Sequence, residues 1–541
     1  MKASPSSSPP ADGLAALRAH WTSDFLSGFT LFLIALPLSI GIAMASGAPP
    51  TAGLLAAIVG GVLGSLLGGS HLTINGPAAG LIVIVAGAIA DLGHGDPQMG
   101  FRRALAAFVV AGALQMLFAV LRLGVLGLAV PKSVIHGMLS AIGIIIVAKQ
   151  IPIALGVTAA PKEALALLAS IPDSIRAMNP EVALIAAVSF IVLLSYKQIR
   201  GHWTKYVPAP LVVVLVGAAL ARLFDFEHSH LVTSDRMQFE VGPTLLLNLP
   251  DRLSSAFIFP DWSEVLTPTS LRWSVSLALV ASIESLLSAS AVDGMDPYRR
   301  VSDLDRELFS KGICNIVCGL IGGLPIIAEI VRSSANVRNG GVTRWANFFH
   351  GMLLLVFLAL FPQVLRQIPL AALAALLISV GISLAHPSQL LHVAAVGWEQ
   401  LVTFLTTLVL TVATDLLLGV AAGILLKLAF NVARGASLGG LFRACIETER
   451  DGNRSTLRAS GPLVFTNLAS FRKHLKATAS DASVFLDLTA TTVVDHTVLD
   501  QLHRFQQEAQ ARGREFAFSF SERHRAVSKH PLAARRRRGK D

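Results

Sequence analysis

The sequence predicts a polytopic α-helical membrane protein: about 14 transmembrane segments as a 7+7 inverted repeat with two half-helices, followed by a small α/β domain. Three observations predict it. Hydrophobic residues make up 53% of the 541 and charged residues only 14%, at a mean hydropathy of +0.63, whereas soluble chains run near about 25% charged. The stretches Phe25 to Ser46, Thr51 to Ala90 and Ala104 to Leu121 contain no Asp, Glu, Lys or Arg. At about 1.5 Å per residue such runs reach, or nearly reach, across ~30 Å of hydrocarbon. Finally, two apolar stretches are broken by glycine and proline, at Asn75-Gly76-Pro77 and at Gly322-Gly323-Leu324-Pro325.

The N-terminal residues 1–23 are polar and rich in Ser and Pro, and are expected to be a disordered tail; the apolar run behind them is too long for a signal peptide. Asp24 leads into helix one, which carries Pro37, and Gly47 to Pro50 turn the chain into helix two, Thr51 to Gly69. An extended piece then ends at Gly76-Pro77, and a short helix runs to Ala90; proline suits a first turn because its missing N–H has no partner there anyway. Helices four to seven are expected over 104–121, 133–148, 182–196 and 207–221. The acidic loop 224–268 belongs on the outside. Helix eight, 271–292, carries Glu284; helix nine covers 309–320; the Pro325 half-helix is the tenth. Helices eleven to fourteen fall at 346–361, 370–385, 401–414 and 416–430. The half-helix is third in each group, and an odd number of spans per group inverts the second group relative to the first. An even total puts both termini on one side. The basic loops with Lys197, Arg200, Lys205, Arg299 and Arg300 make that side cytoplasmic, against Arg102, Arg103 and Arg272 outside. After Phe430 the chain turns polar: strands at 483–488 and 516–520 flank a helix at 503–512, as in a small α/β domain.

The net charge of +10 is no sign of nucleic-acid binding, because the excess lies in short loops and in the Arg535 to Arg538 run, read as part of a basic tail, 531–541. Cys314, Cys318 and Cys445 form neither a disulfide framework nor a zinc pattern. No nucleophile–base pair and no metal-ligand set stands out, which argues against an enzyme and against a bound cofactor.

The second break is the stretch with chemistry. In Gly322 to Gly341 the residues Glu329, Arg332, Ser333, Ser334 and Asn336 follow the Gly-Pro break directly. A helix that starts inside the membrane aims N–H groups worth roughly +0.5 charge into a cavity, and Arg332 adds a full positive charge about one turn further in. A positive spot in apolar surroundings is a place for an anion. The candidate anion-binding residues are Asn75, Gly76, Pro77 and Ala78 at the first break and Ala328, Glu329 and Arg332 at the second. Glu284, mid-helix and otherwise without charged neighbours, is the candidate for a coupling H+ or Na+, with Ser288 one turn on as a further oxygen ligand. Two helix starts and Arg332 carry about +2, and Glu284 with Glu329 carries −2. An arriving anion makes the site negative unless a cation enters with it, so the residues favour symport over simple exchange. Glu329 has an alternative role as an i,i+3 partner of Arg332. His71 and His350 read as packing residues, and Gln115 as a hydrogen bond between helices.

In this arrangement the chain resembles the SulP anion transporters, over nearly its whole length. The matching pieces are Pro37 with Gly47-Ala48-Pro49-Pro50, Asn75-Gly76-Pro77, Glu284 to Ser288 followed by Val292-Asp293-Gly294, Gly322-Gly323-x-Pro325, and Arg332-Ser333. The C-terminal domain resembles a STAS domain. The resemblance implies a transporter domain, 24–432, split into a core of helices 1–4 and 8–11 and a gate of helices 5–7 and 12–14. It implies a STAS domain at 437–530, an anion site between the two half-helix starts, a homodimer, and residence in the inner membrane with both termini cytoplasmic. It also implies a STAS surface open to a cytoplasmic protein partner. His496 stands where a phosphorylated serine sits in related STAS domains, which puts that control in doubt. Val331 to Asn336, Trp345 to His350 and Asp495-His496-Thr497 resemble a bacterial subgroup, some of whose members continue into a carbonic-anhydrase domain, which would suit bicarbonate. The expected function is secondary transport of a small inorganic anion, sulfate or bicarbonate, by alternating access. A nucleobase transporter, or a channel or sensor signalling through STAS, remains as an alternative.

Overall fold

The computed structural model describes residues 10, 13–124, 130–157, 164–196, 198–199, 207–234, 237–249, 253–414, 416–478, 481–511 and 513–537. Residues 1–9, 11 and 12 of the expected tail lie outside the described residues, as do Lys197, Arg200, Lys205 and Arg538. Two compact units divide the chain: 1–124 with 142–384, and 125–141 with 385–541.

The first half runs α1 (Leu14–Ala45), α2 (Pro50–Leu67), β1 (Ile74–Pro77), α3 (Ile82–Gly93), α4 (Pro97–Val120), α5 (Lys132–Ala154), the short α6 (Ala164–Ala169) and α7 (Ile171–Arg176), α8 (Pro180–Tyr196) and α9 (Ala209–Leu223). A hairpin of β2 (His230–Ser234) and β3 (Met237–Val241) follows. The second half runs α10 (Pro268–Met295), α11 (Leu304–Ile321), β4 (Ile326–Glu329), α12 (Ile330–Arg338), α13 (Trp345–Leu360), the short α14 (Pro362–Leu365), α15 (Leu370–Leu384), α16 (Pro387–Val396), α17 (Trp398–Ala413) and α18 (Leu416–Ala433). Proline in the first turn opens α2, α4, α9, α10 and α16, where it removes a donor that would have no partner. Asp96, Thr267 and Asp303 cap α4, α10 and α11 by accepting first-turn N–H groups.

Within the unit of 1–124 and 142–384, α2 packs on α13 while α4 packs on α11, and α1 packs on α13 while α10 packs on α4. Each of these contacts maps onto its counterpart when the two halves are exchanged, and β1 pairs with its equivalent β4 in antiparallel fashion. That is the signature of an inverted repeat. The apolar core of this unit joins α1, α2, α8, α9, α13 and α15 through residues such as Ile40, Leu54, Ile185, Val213, Leu354 and Ala372. Seven helices are long and apolar enough to cross a membrane by length and composition, and five shorter apolar helices of 10–17 residues accompany them among the described residues. The charge-bearing α11 and α12 complete two sets of seven.

Several sequence expectations are corrected. α1 starts at Leu14, inside the expected tail 1–23. Asp24 lies within this helix, fully buried, and accepts the N–H groups of Val342 at 2.8 Å and Thr343 at 3.0 Å. The acid anchors α1 to the α12–α13 turn instead of starting the helix. The loop 224–268 contains the β2–β3 hairpin as well as irregular chain. α11 starts five residues before the expected Phe309, at Leu304, because its charged first turns are buried in protein. Glu307 and Lys311 are an ion pair at 2.5 Å with both side chains 0% exposed, and Glu307 also accepts Gly69 N–H at 2.9 Å and Ser70 N–H at 3.1 Å.

In the second unit, Gly137 of α5 packs against Phe404 and Thr407 of α17. Lys427 of α18 reaches Glu399 of α17 at 3.1 Å, both side chains buried, and Arg434 pairs with the same carboxylate. The α/β domain places β5 (Cys445–Asp451), β6 (Arg454–Leu463), β7 (Ser483–Val494), β8 (Glu515–Ser519), β9 (His524–Ala526) and β10 (Arg535–Arg537) in one sheet, with α19 (Leu468–Ala477) and α20 (His496–Ala511). The strands β6, β7 and β8 are parallel and β5 joins β6 as a hairpin. Leu457, Phe471, Leu486, Val498, Leu502 and Phe516 form its core. The run expected as a free basic tail, 531–541, instead supplies β10, antiparallel to β7 and β9, and the Arg535 guanidinium stacks 4.3 Å from the Phe520 ring centroid. The sheet therefore continues past the expected boundary at 530.

Candidate functional site

The site is built where β1 meets β4. α11 ends on Gly322 in the left-handed conformation, φ 92°, which glycine adopts without a Cβ clash. Gly323, Leu324 and Pro325 then keep the chain out of helix until α12 begins at Ile330. On the other side, β1 ends at Pro77 and a short 3₁₀ turn, Ala79–Leu81, feeds α3. The two extended pieces pair in the register Ile74↔Glu329, Asn75↔Ala328, Gly76↔Ile327 and Pro77↔Ile326.

A two-stranded ribbon leaves donors unpaired on its outer edges, and a buried N–H without a partner costs about 1–3 kcal/mol. Neighbouring helices supply the partners. Asn347 of α13 accepts Asn75 N–H at 3.2 Å and donates to the carbonyl of Gly60 at 3.0 Å. Asn315 of α11 accepts Ile326 N–H at 2.6 Å and donates to Gln115 Oε1 at 2.7 Å. Gln115 is thus the interhelical hydrogen bond the sequence led us to expect. Ser333 Oγ accepts Ile74 N–H at 2.9 Å, and Ser285 Oγ accepts Ala328 N–H at 3.3 Å. The sequence reading gave no role to Asn315, Asn347 or Ser285. The available signal was the polar residue itself, placed in an apolar helix.

Arg332 sits in the first turn of α12 and is 1% exposed. Its Nε lies 2.5 Å from Glu329 Oε2, while Nη1 and Nη2 have no hydrogen-bond partner among the described residues. The guanidinium lies against Gly76: a Cβ there would be 2.7 Å from Nη1. Glu329 ends β4 and makes no capping bond to α12, so its carboxylate goes to Arg332. The i,i+3 partnership expected as an alternative for Glu329 is therefore present. Glu284 of α10 is buried, and a Cβ on Gly80 would overlap its carboxylate. That places the acid over the turn that begins the first half-helix. Its Oε1 has no hydrogen-bond partner among the described residues, and it lies within electrostatic reach of Glu329. Ser288 is buried one turn beyond it on the same helix face.

The structure thus brings Gly76, Pro77, Ala78, Ala328, Glu329, Arg332 and Glu284 around one crossing. It does not bring the Asn75 side chain to Arg332. Successive residues of a strand face opposite ways; Gly76 faces Arg332, and the Asn75 amide packs against Gly64 of α2. His350 is fully buried on α13, within electrostatic reach of Arg332.

Residues 21–407 match the Sulfate permease family and residues 446–522 match the STAS domain. The bicarbonate transporter BicA of Synechocystis sp. is 26% identical over 507 residues, covering 91% of this chain and 86% of that protein. YvdB of Bacillus subtilis, whose name assigns it provisionally to sulfate transport, is 28% identical over 462 residues, covering 84% of this chain and 82% of that protein. The solved transmembrane domain of a cyanobacterial BicA superposes with TM-score 0.63 at 26% identity, covering 74% of this chain and 97% of that one. Murine Slc26a9, at 16% identity and TM-score 0.65, covers 92% of this chain and shares its fold, with 85% of that chain covered. With its inverted repeat, its paired breaks at β1 and β4 and its C-terminal α/β domain, this chain belongs to the sulfate permease family of multi-pass membrane anion transporters, with a STAS domain behind the membrane helices.

Proposed function

We propose that this protein is a secondary transporter that moves sulfate or bicarbonate together with H+ or Na+ by alternating access. The observation that carries the reading is the buried Arg332, whose two Nη groups have no hydrogen-bond partner among the described residues at the crossing of β1 and β4. A buried guanidinium with open donors is stable only with an acceptor to fill them, and an oxyanion does so in bidentate fashion. The names of the relatives, which include sulfate and bicarbonate transporters, support the two substrates. Charge supports the coupling. Arg332 and Glu329 cancel as a pair, the two helix starts supply about +1, and Glu284 supplies −1. An anion entering this neutral site is opposed until Glu284 takes up a proton or Na+. Residence in the inner membrane, both termini cytoplasmic and a homodimeric state belong to the same reading.

The test is uptake by the purified protein in liposomes. Labelled sulfate and bicarbonate are offered under an inward Na+ gradient, an inward pH gradient, or none. One anion is expected to accumulate above equilibrium under one of the gradients. Glu284→Gln, which imitates the neutral carboxyl, should retain counterflow exchange and lose that accumulation. Full gradient-driven accumulation by Glu284→Gln would take the coupling role from this residue. Equilibration of both anions at channel-like rates, indifferent to every gradient, would defeat the transporter reading.

A further inference from the structure

A second site lies wholly within the unit of residues 125–141 and 385–541. There the first turns of α5 and of α20, together with α16, enclose a cavity of about 80 Å3. A single ordered water needs about 10–15 Å3 of such space, so the cavity has room for a group of about five to eight heavy atoms. Its wall carries Lys132, Ser133, His136, His392, His496 and Asp500.

The chemistry of that wall is one-sided. Lys132 Nζ lies 2.7 Å from Asp500 Oδ2, and Arg504 Nε lies 3.2 Å from the same oxygen. Lys132 and Asp500 balance each other in the wall, and the half-exposed Arg504 adds a positive charge beside it. α5 begins at Lys132 and is 23 residues long; α20 begins at His496 and is 16 residues long. The positive ends of both helix dipoles are therefore at the cavity, that of α20 shared with the buried Asp495 carboxylate, which accepts Val498 N–H at 2.9 Å. Ser133 is 2% exposed, and its hydroxyl has no hydrogen-bond partner among the described residues. The His496 ring donates Nδ1–H to the Leu532 carbonyl at 2.8 Å, so Nε2 of its neutral ring is an acceptor, and the N–H groups open to a ligand are those of His136 and His392. A metal does not fit: among the described residues no three His, Cys or carboxylate side chains come together in a metal-holding group. Two helix starts, an orphaned buried hydroxyl, two imidazole N–H groups and the Arg504 charge beside the wall suit an acceptor with negative charge.

We propose that this cavity binds a small oxyanion of the sulfate, bicarbonate or phosphate class, at a site separate from Arg332. The bound anion takes the Ser133 hydroxyl and the N–H groups of His136 and His392 and faces the start of α20, and so ties α5 and α16 to α20 of the STAS domain. This makes the STAS domain's hold on the membrane helices depend on the concentration of that anion. The inference stands independently of the transport reading, since none of its residues belongs to the β1–β4 crossing.

The experiment is equilibrium binding of radiolabelled sulfate, phosphate and bicarbonate, each in turn, to the purified full-length chain. One of the three is expected to bind the Arg332→Ala chain at one per chain. Adding Ser133→Leu, which fills the cavity, should weaken that remaining site at least tenfold. The near-isosteric pair His136→Gln with His392→Gln should do the same, and it keeps the test open if Ser133→Leu does not purify folded. Two anions per Arg332→Ala chain, falling to one with Ser133→Leu, would remove Arg332 from the transport site and leave this site standing. No binding of any of the three to Arg332→Ala, or residual binding indifferent to both cavity variants, overturns the proposal.

Discussion

Arg332 is the residue whose environment is hardest to account for without a ligand. One of its nitrogens has Glu329; the other two are buried with no acceptor among the described residues. Hydrogen bonds to charged groups contribute about 1.5–3 kcal/mol, and about 1.4 kcal/mol is a tenfold change in affinity. Arg332→Ala is therefore expected to weaken anion binding by about ten- to a hundredfold while the protein still elutes as a folded species in detergent. Unchanged affinity in a binding assay would leave Arg332 a structural partner of Glu329 alone. Gly80 is the second decisive residue, because only a residue without a Cβ lets the Glu284 carboxylate rest on the start of α3. Gly80→Ala leaves every charge in place and displaces that carboxylate, at an overpacking cost of about 1–3 kcal/mol. It is expected to abolish gradient-driven accumulation as Glu284→Gln does, with counterflow retained. Normal accumulation would show that the position of the carboxylate does not matter.

At the scale of elements, the β1–β4 ribbon is short, and helix side chains complete its hydrogen bonding. The two asparagines are the main supports, both from the second half of the chain and each serving both as acceptor and donor. Asn347→Ala strands the Asn75 N–H in protein interior, at about 1–3 kcal/mol, while the Gly60 carbonyl keeps its place in the α2 ladder. We expect a lower thermal midpoint in detergent and weaker anion binding, although the Asn347 bonds go to backbone and not to the candidate anion donors. A variant with native melting and native affinity would mean that the ribbon holds its register without this bond. The buried pairs Glu307–Lys311 and Glu399–Lys427 are of a different kind: each joins charges that are costly to bury alone and whose partners are supplied within the fold.

For the whole molecule, the division of the chain makes its own prediction. Every residue of the β1–β4 crossing belongs to the unit of 1–124 and 142–384, whereas the α/β domain has its own apolar core around Leu457, Leu486 and Val498. A chain ending at Gly435 should still insert and bind the anion, with lower yield or slower transport. The separate segment 437–541 should fold in solution, with cooperative thermal unfolding followed by circular dichroism. A non-cooperative, unfolded spectrum would count against an autonomous domain.

What the sequence determined by itself was local. Membrane class follows from run length and from the scarcity of charge, and the two breaks follow from the backbone chemistry of Gly76-Pro77 and Gly322 to Pro325, which no tertiary contact needs to supply. The order of the long helices was legible for the same reason, and so were Glu284 and Arg332, because a charge in an apolar helix stands out wherever it is read. Only the tertiary structure decided the rest. The bond between Asn347 and Asn75 spans 272 positions of the chain, and nothing in either neighbourhood names the other. The register Gly76↔Ile327 decides that Asn75 faces α2 and Gly76 faces Arg332, and a one-residue slip would reverse it. Arg535 to Arg537 read as a solvated tail because four adjacent arginines carry no apolar pattern, yet they complete a sheet whose open edge at β7 lies some 40 positions earlier. Local sequence specifies where the backbone must break and what may be buried; long-range pairing alone specifies which buried group meets which.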